Sequence, residues 1–189
     1  MPVSVILASR SPRRIELLGQ LGVACEVVPA DIDETPRTNE VPVRYVERLA
    51  REKVQAVATS HAGIILGADT TIDIDNEIFG QPVDERDAAR MLRRLSSRTH
   101  RVHTGVAVST HGTVQSIVTT TMVTFVPVTD ELLGWYLETG EWQGKAGAYA
   151  IQGLGASLVD RIQGSYSNVV GLPLRETAQL LGIEPPNEG

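Results

Sequence analysis

A chain of 189 residues with a net charge of −6 is long enough to bury one sizeable core, and its length lies between one large domain and two small lobes. Its 42% apolar and 21% charged residues are those of an ordinary globular protein, and apolar runs such as GIILGA at 63–68 fall far short of the roughly 20 residues of a bilayer span. The acidic balance and the 4% aromatic content speak against nucleic-acid binding, and Cys25, the single cysteine, excludes an intramolecular disulfide or a cysteine-rich zinc site.

The N-terminal basic residues follow the first apolar run, the reverse of a secretory signal, so the expected setting is the cytoplasm. VSVILAS (3–9) reads as a buried strand. SPRRIELLGQLG reads as a helix with Ser11 at its N-cap, Pro12 at its first position and Gly22 near its end. ACEVVPA is a second strand, with Cys25 as inert packing. DIDETPRTNEVP is a loop carrying Asp31, Asp33 and Glu34. Residues 42–59 form an amphipathic helix with Val43, Val46, Leu49, Ala50, Val54 and Val57 on one face, and Lys53 falls on that same apolar face.

GIILGADTTIDIDNEIFGQP reads as a short apolar strand ending at Asp69, followed by an alternating segment that turns near Asp75-Asn76. DERDAARMLRRLSS is a helix with Ala88, Met91, Leu92 and Leu95 inward. RVHTGVAVS and TVQSIVTTTMVTFVPV form a long hairpin about His111-Gly112. TDELLGWYLETG is a helix capped by Thr129, with Trp135 and Tyr136 as packing. A glycine-rich loop (144–156), a strand at SLVDRI, a loop at GSYSNVVGLP, a helix over 173–182 and a frayed EPPNEG tail complete the chain. Strand–helix alternation combined with a long hairpin predicts an α/β fold with a mixed sheet.

Three arginines and two serines lie within Ser9–Arg14, between a strand and a helix start. A helix N-terminus offers free N–H groups and the positive end of the dipole, and Arg13 and Arg14 add donors that match phosphate oxygens. As surface residues those arginines would oppose the dipole by ~0.3–1 kcal/mol each, so a bound anion is the better account of their placement. Asp69, after a second strand, stands where an open α/β sheet collects ligands, as a metal ligand or general base. A carboxylate opening a turn is the plain alternative. With Glu34, Asp69 could hold a divalent metal that screens a triphosphate.

Lys53 must either snorkel out or meet an anion. Lys145 sits in a loop whose glycines let backbone approach a ligand, although the P-loop spacing is absent, and the Gln152 amide could read a base edge. His100 and His103, three apart in a strand, face opposite sides and do not share a metal. His61 and His111 read as surface loop residues.

LASRSPRRIELL, DIDETP, RLAREKVQAVA, ILGADTTI, AARMLRRLSSRTHRVHTGVAV, TGEWQGKAGAYAIQG and GSYSNVVGLPL, in that order, resemble the Maf family of nucleoside triphosphate pyrophosphatases over residues 5–181. The resemblance implies a bilobal mixed-sheet α/β fold with a central cleft, like that of inosine triphosphatase-like proteins, with residues 1–189 as a single domain of two lobes. It implies a cytoplasmic enzyme, often a homodimer, that uses Mg²⁺ or Mn²⁺ to hydrolyse a nucleoside triphosphate to the monophosphate and pyrophosphate. By the same resemblance Ser9, Arg13, Arg14 and Lys53 fall on phosphate-binding positions, Glu34 and Asp69 on acidic metal positions, and Asp69 on the proton acceptor.

Arg13, Thr70 and Gln152 follow the pattern of the dTTP and UTP branch rather than that of the 7-methyl-GTP branch. Gln81 departs from the family: it replaces a lysine of GKP that is expected, like Lys145, to face phosphates. The departure predicts a raised KM, and it is the sole sequence support for a nucleotide-binding division regulator with weak or lost hydrolysis. A role in septum formation has been attached to the family and is not legible in residues.

Overall fold

The computed structural model describes residues 3–183; the EPPNEG tail lies outside them. The chain runs β1 (Ser4–Leu7), α1 (Pro12–Gln20), β2 (Ala24–Val27), α2 (Pro42–Ala58), β3 (Ile65–Ile74), β4 (Glu77–Phe79), α3 (Glu85–Leu95), β5 (Thr99–Thr110), β6 (Thr113–Phe125), α4 (Asp130–Glu138), β7 (Val159–Gln163), α5 (Tyr166–Val170) and α6 (Leu174–Leu180). Short 3₁₀ turns at Ala146–Ala148 and Leu154–Leu158 interrupt the glycine-rich segment.

The strands form one mixed sheet in the order β2-β1-β3-β5-β6-β7, with β4 added to β3. β1 pairs in parallel with β2 and β3, while β4 and β7 run antiparallel to β3 and β6. The fold is therefore the mixed α/β class that the strand–helix alternation predicts. The chain divides into two compact units, one of residues 1–69, 104–119 and 171–189 and the other of 70–103 and 120–170.

In the first unit, Ala50, Val54 and Val57 of α2 pack with Ala8, Ile65 and Ala107 in an apolar cluster. α2 lies close because Gly67 has no side chain: a Cβ there would stand 2.5 Å from the Ala50 carbonyl and 3.2 Å from Lys53 Cβ. Gly105 allows the same approach beside the Val46 carbonyl. In the second unit, α3 buries Ala88, Met91, Leu92 and Leu95, the four residues its periodicity assigns inward. His100, Phe125 and Tyr149 stack edge to face nearby, with His100 Nε2 2.9 Å from the Tyr149 hydroxyl.

Four local expectations are corrected. β3 does not end at Asp69 but runs to Ile74; its polar Asp73 is paid for internally, accepting from Arg101 Nε and facing His103 Nε2, each at 2.8 Å. Val43 is exposed, and Pro42 takes the buried place in the first turn of α2. Trp135 is 43% exposed although Tyr136 is fully buried, since neighbours about 100° apart on a helix do not share a face. The GSYSNVVGLP loop contains α5, started by the Ser165 hydroxyl, which accepts the Asn168 N–H at 3.2 Å.

Candidate active site

Six of the residues singled out in the sequence, Ser9, Arg13, Arg14, Glu34, Lys53 and Asp69, belong to the first unit. β1 delivers the chain to Ser9, and α1 begins at Pro12 with Ser11 as an N-cap whose side chain makes no capping bond. Ser9 Oγ instead organises the turn, accepting the Ser11 N–H at 3.2 Å and Arg14 Nη1 at 3.0 Å. Arg14 is buried and also donates Nε to the Gly171 carbonyl at 3.0 Å. It therefore serves the turn as a brace. Arg13 is only partly covered, yet its Nε is buried and makes no hydrogen bond among the described residues. An unmet buried donor costs ~1–3 kcal/mol, so this N–H is better satisfied by a ligand oxygen than left as it stands.

Lys53 resolves its alternatives by meeting anions. From the buried face of α2 its ammonium reaches Asp69 Oδ1 at 2.7 Å and Glu34 Oε1 at 2.8 Å. Asp69 is buried in mid-strand, whereas Glu34 is half exposed on its loop. Burial raises the Asp69 pKa above the ordinary carboxylate value, while Lys53 and Arg14 pull it back. Desolvation likewise lowers the Arg14 pKa, opposed by Asp69 and reinforced by Arg13.

Residues that the sequence reading passed over pin the acidic loop. The Tyr45 hydroxyl donates to the Glu34 carbonyl at 2.9 Å, and Arg48 donates to the Thr35 carbonyl at 3.2 Å. Arg48 also grips Glu40 through two bonds of 2.6 and 2.7 Å. The available signal was spacing: Tyr45, Arg48 and Glu52 share one face of α2.

Thr70, Gln81, Lys145 and Gln152 belong to the second unit. There the Gly147 N–H donates to the Gly80 carbonyl at 3.0 Å, tying the segment before Gln81 to the turn after Lys145. Lys145 Nζ lies 3.3 Å from the Gln143 carbonyl, while Gln81 and Gln152 are exposed. Thr70 is half-buried at the start of that unit.

Among the described residues no group of three or more His, Cys, Asp or Glu could hold a metal. Asp69 and Glu34 converge on one cation, the Lys53 ammonium, so two carboxylates stand close enough to share one positive charge. No helix of the described chain is long and apolar enough to cross a membrane.

A family model described as Maf-like protein matches residues 4–183. A dTTP/UTP pyrophosphatase of Myxococcus xanthus is 51% identical over 178 residues, which cover 94% of this chain and 90% of that protein. One of Anaeromyxobacter dehalogenans (strain 2CP-C) is 50% identical, covering 96% and 94%. Among solved structures, the Ham1 protein of Staphylococcus aureus aligns with a TM-score of 0.50 at 13% identity, over 65% of this chain and 71% of that one, a likeness of fold.

Proposed function

The chain belongs to the family of Maf-like proteins, and from that premise we propose that it is a nucleoside triphosphate pyrophosphatase acting on dTTP and UTP. The observation that carries the reading is the buried Asp69 carboxylate held 2.7 Å from Lys53, whose ammonium also meets Glu34. A binding-only site needs cations; this one keeps a carboxylate out of water beside them, as a proton acceptor requires. The pyrimidine preference rests on the named relatives and on Arg13, Thr70 and Gln152.

Asp69 takes the proton of the attacking water. Burial raises the pKa of that carboxylate and Lys53 opposes the rise from 2.7 Å, while Arg14 and Ser9 hold the turn from which Arg13 offers its unmet N–H to a phosphate oxygen. A divalent cation, Mg²⁺ or Mn²⁺, is part of the proposal, with Asp69 and Glu34 as its protein ligands. Held there, it would neutralise phosphate charge and polarise the bond that breaks. One domain of two lobes over residues 1–189, a cytoplasmic setting and a homodimeric form belong to the same proposal, supported by the family resemblance.

The test is product release from dTTP, UTP, CTP, GTP and 7-methyl-GTP with Mg²⁺ or Mn²⁺. Equal amounts of monophosphate and pyrophosphate, formed from dTTP and UTP at least tenfold faster than from the others, support the reading. Orthophosphate as the first product, or a preference for 7-methyl-GTP, overturns it.

A further inference from the structure

Gln152 is exposed on its loop. What fixes its backbone is Glu141. We infer that Glu141 is a positioning residue for base selection: its carboxylate clamps the loop that carries Gln152 and sets the reach of that amide toward the nucleobase. The inference deepens the proposed function and rests on its assignment of Gln152 to base recognition.

The clamp is built from both carboxylate oxygens. Glu141 Oε1 accepts the Leu154 N–H at 2.9 Å, and Oε2 accepts the Gly155 N–H at 2.7 Å. These two N–H groups begin the 3₁₀ turn Leu154–Leu158 immediately after Gln152. Charge-assisted bonds of this kind are about twice as strong as neutral ones and, made in parallel, they also fix orientation. A Cβ at Gly153 would push Glu141 Oε1 out of its place in the clamp. A Cβ at Gly155 would stand 2.6 Å from the Ala150 carbonyl.

The other side of the clamp is equally determined. α4 ends in Thr139, whose hydroxyl donates to the Tyr136 carbonyl at 2.6 Å and accepts the Glu141 N–H at 3.1 Å, while Gly140 turns at φ 68°. The buried Tyr136 hydroxyl accepts the Ala150 N–H at 3.3 Å. Both ends of the segment 150–155 are thus tied to one helix terminus. Ile151 is buried, but the Gln152 side chain and Leu154, 50% exposed, are left outward. Both anionic bonds thus fall within three residues after the exposed Gln152 amide.

The experiment uses the full chain with Mg²⁺ or Mn²⁺ and compares wild type, Glu141→Gln, Glu141→Asp and Gln152→Ala. It reads kcat and KM for dTTP and CTP, inhibition by inorganic pyrophosphate, and thermal unfolding. Glu141→Gln keeps the shape but only one acceptor, and should lower the dTTP-over-CTP ratio of kcat/KM about tenfold, chiefly through the KM for dTTP. Inhibition by pyrophosphate should stay within twofold, and Glu141→Asp should recover part of the ratio. A ratio within twofold of wild type in both Glu141 variants, while Gln152→Ala collapses it, overturns the positioning role and leaves the base-reading role standing. An equal loss for both nucleotides with weakened pyrophosphate inhibition also overturns it, as a merely structural effect. If Gln152→Ala leaves the ratio unchanged, base recognition by Gln152 fails and takes this inference with it.

Discussion

Lys53 occupies a position on α2 that periodicity assigns to a core residue, and it is held there by carboxylates rather than by water. Replacing it with methionine leaves Asp69 buried without its nearest cation. Breaking a buried pair in this way costs about 3–5 kcal/mol, a figure to be read as an upper bound because Arg14 also acts on Asp69 and Glu34 is half exposed. Urea denaturation of Lys53→Met should therefore show a loss of about 2–4 kcal/mol together with a loss of pyrophosphate release. Gln81 carries the opposite prediction. A lysine at that exposed position restores a cation, and a charge-assisted phosphate bond of ~1.5–3 kcal/mol should lower the KM for dTTP roughly tenfold or more. An unchanged KM in Gln81→Lys would show that position 81 does not face the phosphates.

At the scale of elements, the site depends on how near α2 comes to β3. Gly67→Ala forces a Cβ against the Ala50 carbonyl and should destabilise by about 1–3 kcal/mol, with a fall in turnover larger than stability explains because Lys53 shifts relative to Asp69. Gly19→Ala, on α1 with nothing within 4 Å of its added Cβ, should instead stabilise by roughly 0.5–1 kcal/mol, and chemical denaturation separates the two. Most elements were legible because their periods were clean: α3 and the His111-Gly112 hairpin fall where alternation and helical spacing put them. The sequence reading ends that strand at Asp69, where a carboxylate closes the apolar run, yet β3 carries on through the buried Asp73. Here Arg101 and His103 satisfy it from a strand about thirty residues away, a pairing that no local window contains. The same reason hid Glu141, whose partners lie 13 and 14 residues ahead. Ser9, Arg13 and Arg14 were visible because one turn holds all three, although the brace from Arg14 to Gly171 was not.

At the scale of the whole molecule, His100, Asp73 and Glu40 are among the groups that make stability fall in acid. Burial holds His100 neutral, with its pKa pushed down to about 3 from 6.5. The unfolded chain takes up a proton there that the fold refuses, so stability drops as pH falls from about 6.5 toward 3. Burial raises the Asp73 pKa, but the Arg101 and His103 bonds outweigh it and leave it below the usual carboxylate range. Glu40 is held low chiefly by Arg48. Both contribute stability above the unfolded carboxylate pKa that is lost as pH falls through their folded values. Denaturation at pH 6.5 and pH 5 should differ by roughly 1–2 kcal/mol from His100 alone, and His100→Phe should remove that contribution.

The whole account turns on Asp69 as proton acceptor in a pyrophosphatase. The most direct measurement is pyrophosphate release from dTTP by wild type and Asp69→Asn, alongside equilibrium binding of dTTP to both. The account predicts that release falls at least about a hundredfold in Asp69→Asn while the variant still binds dTTP. Release within tenfold of wild type, or wild-type binding with no release at all, would contradict it.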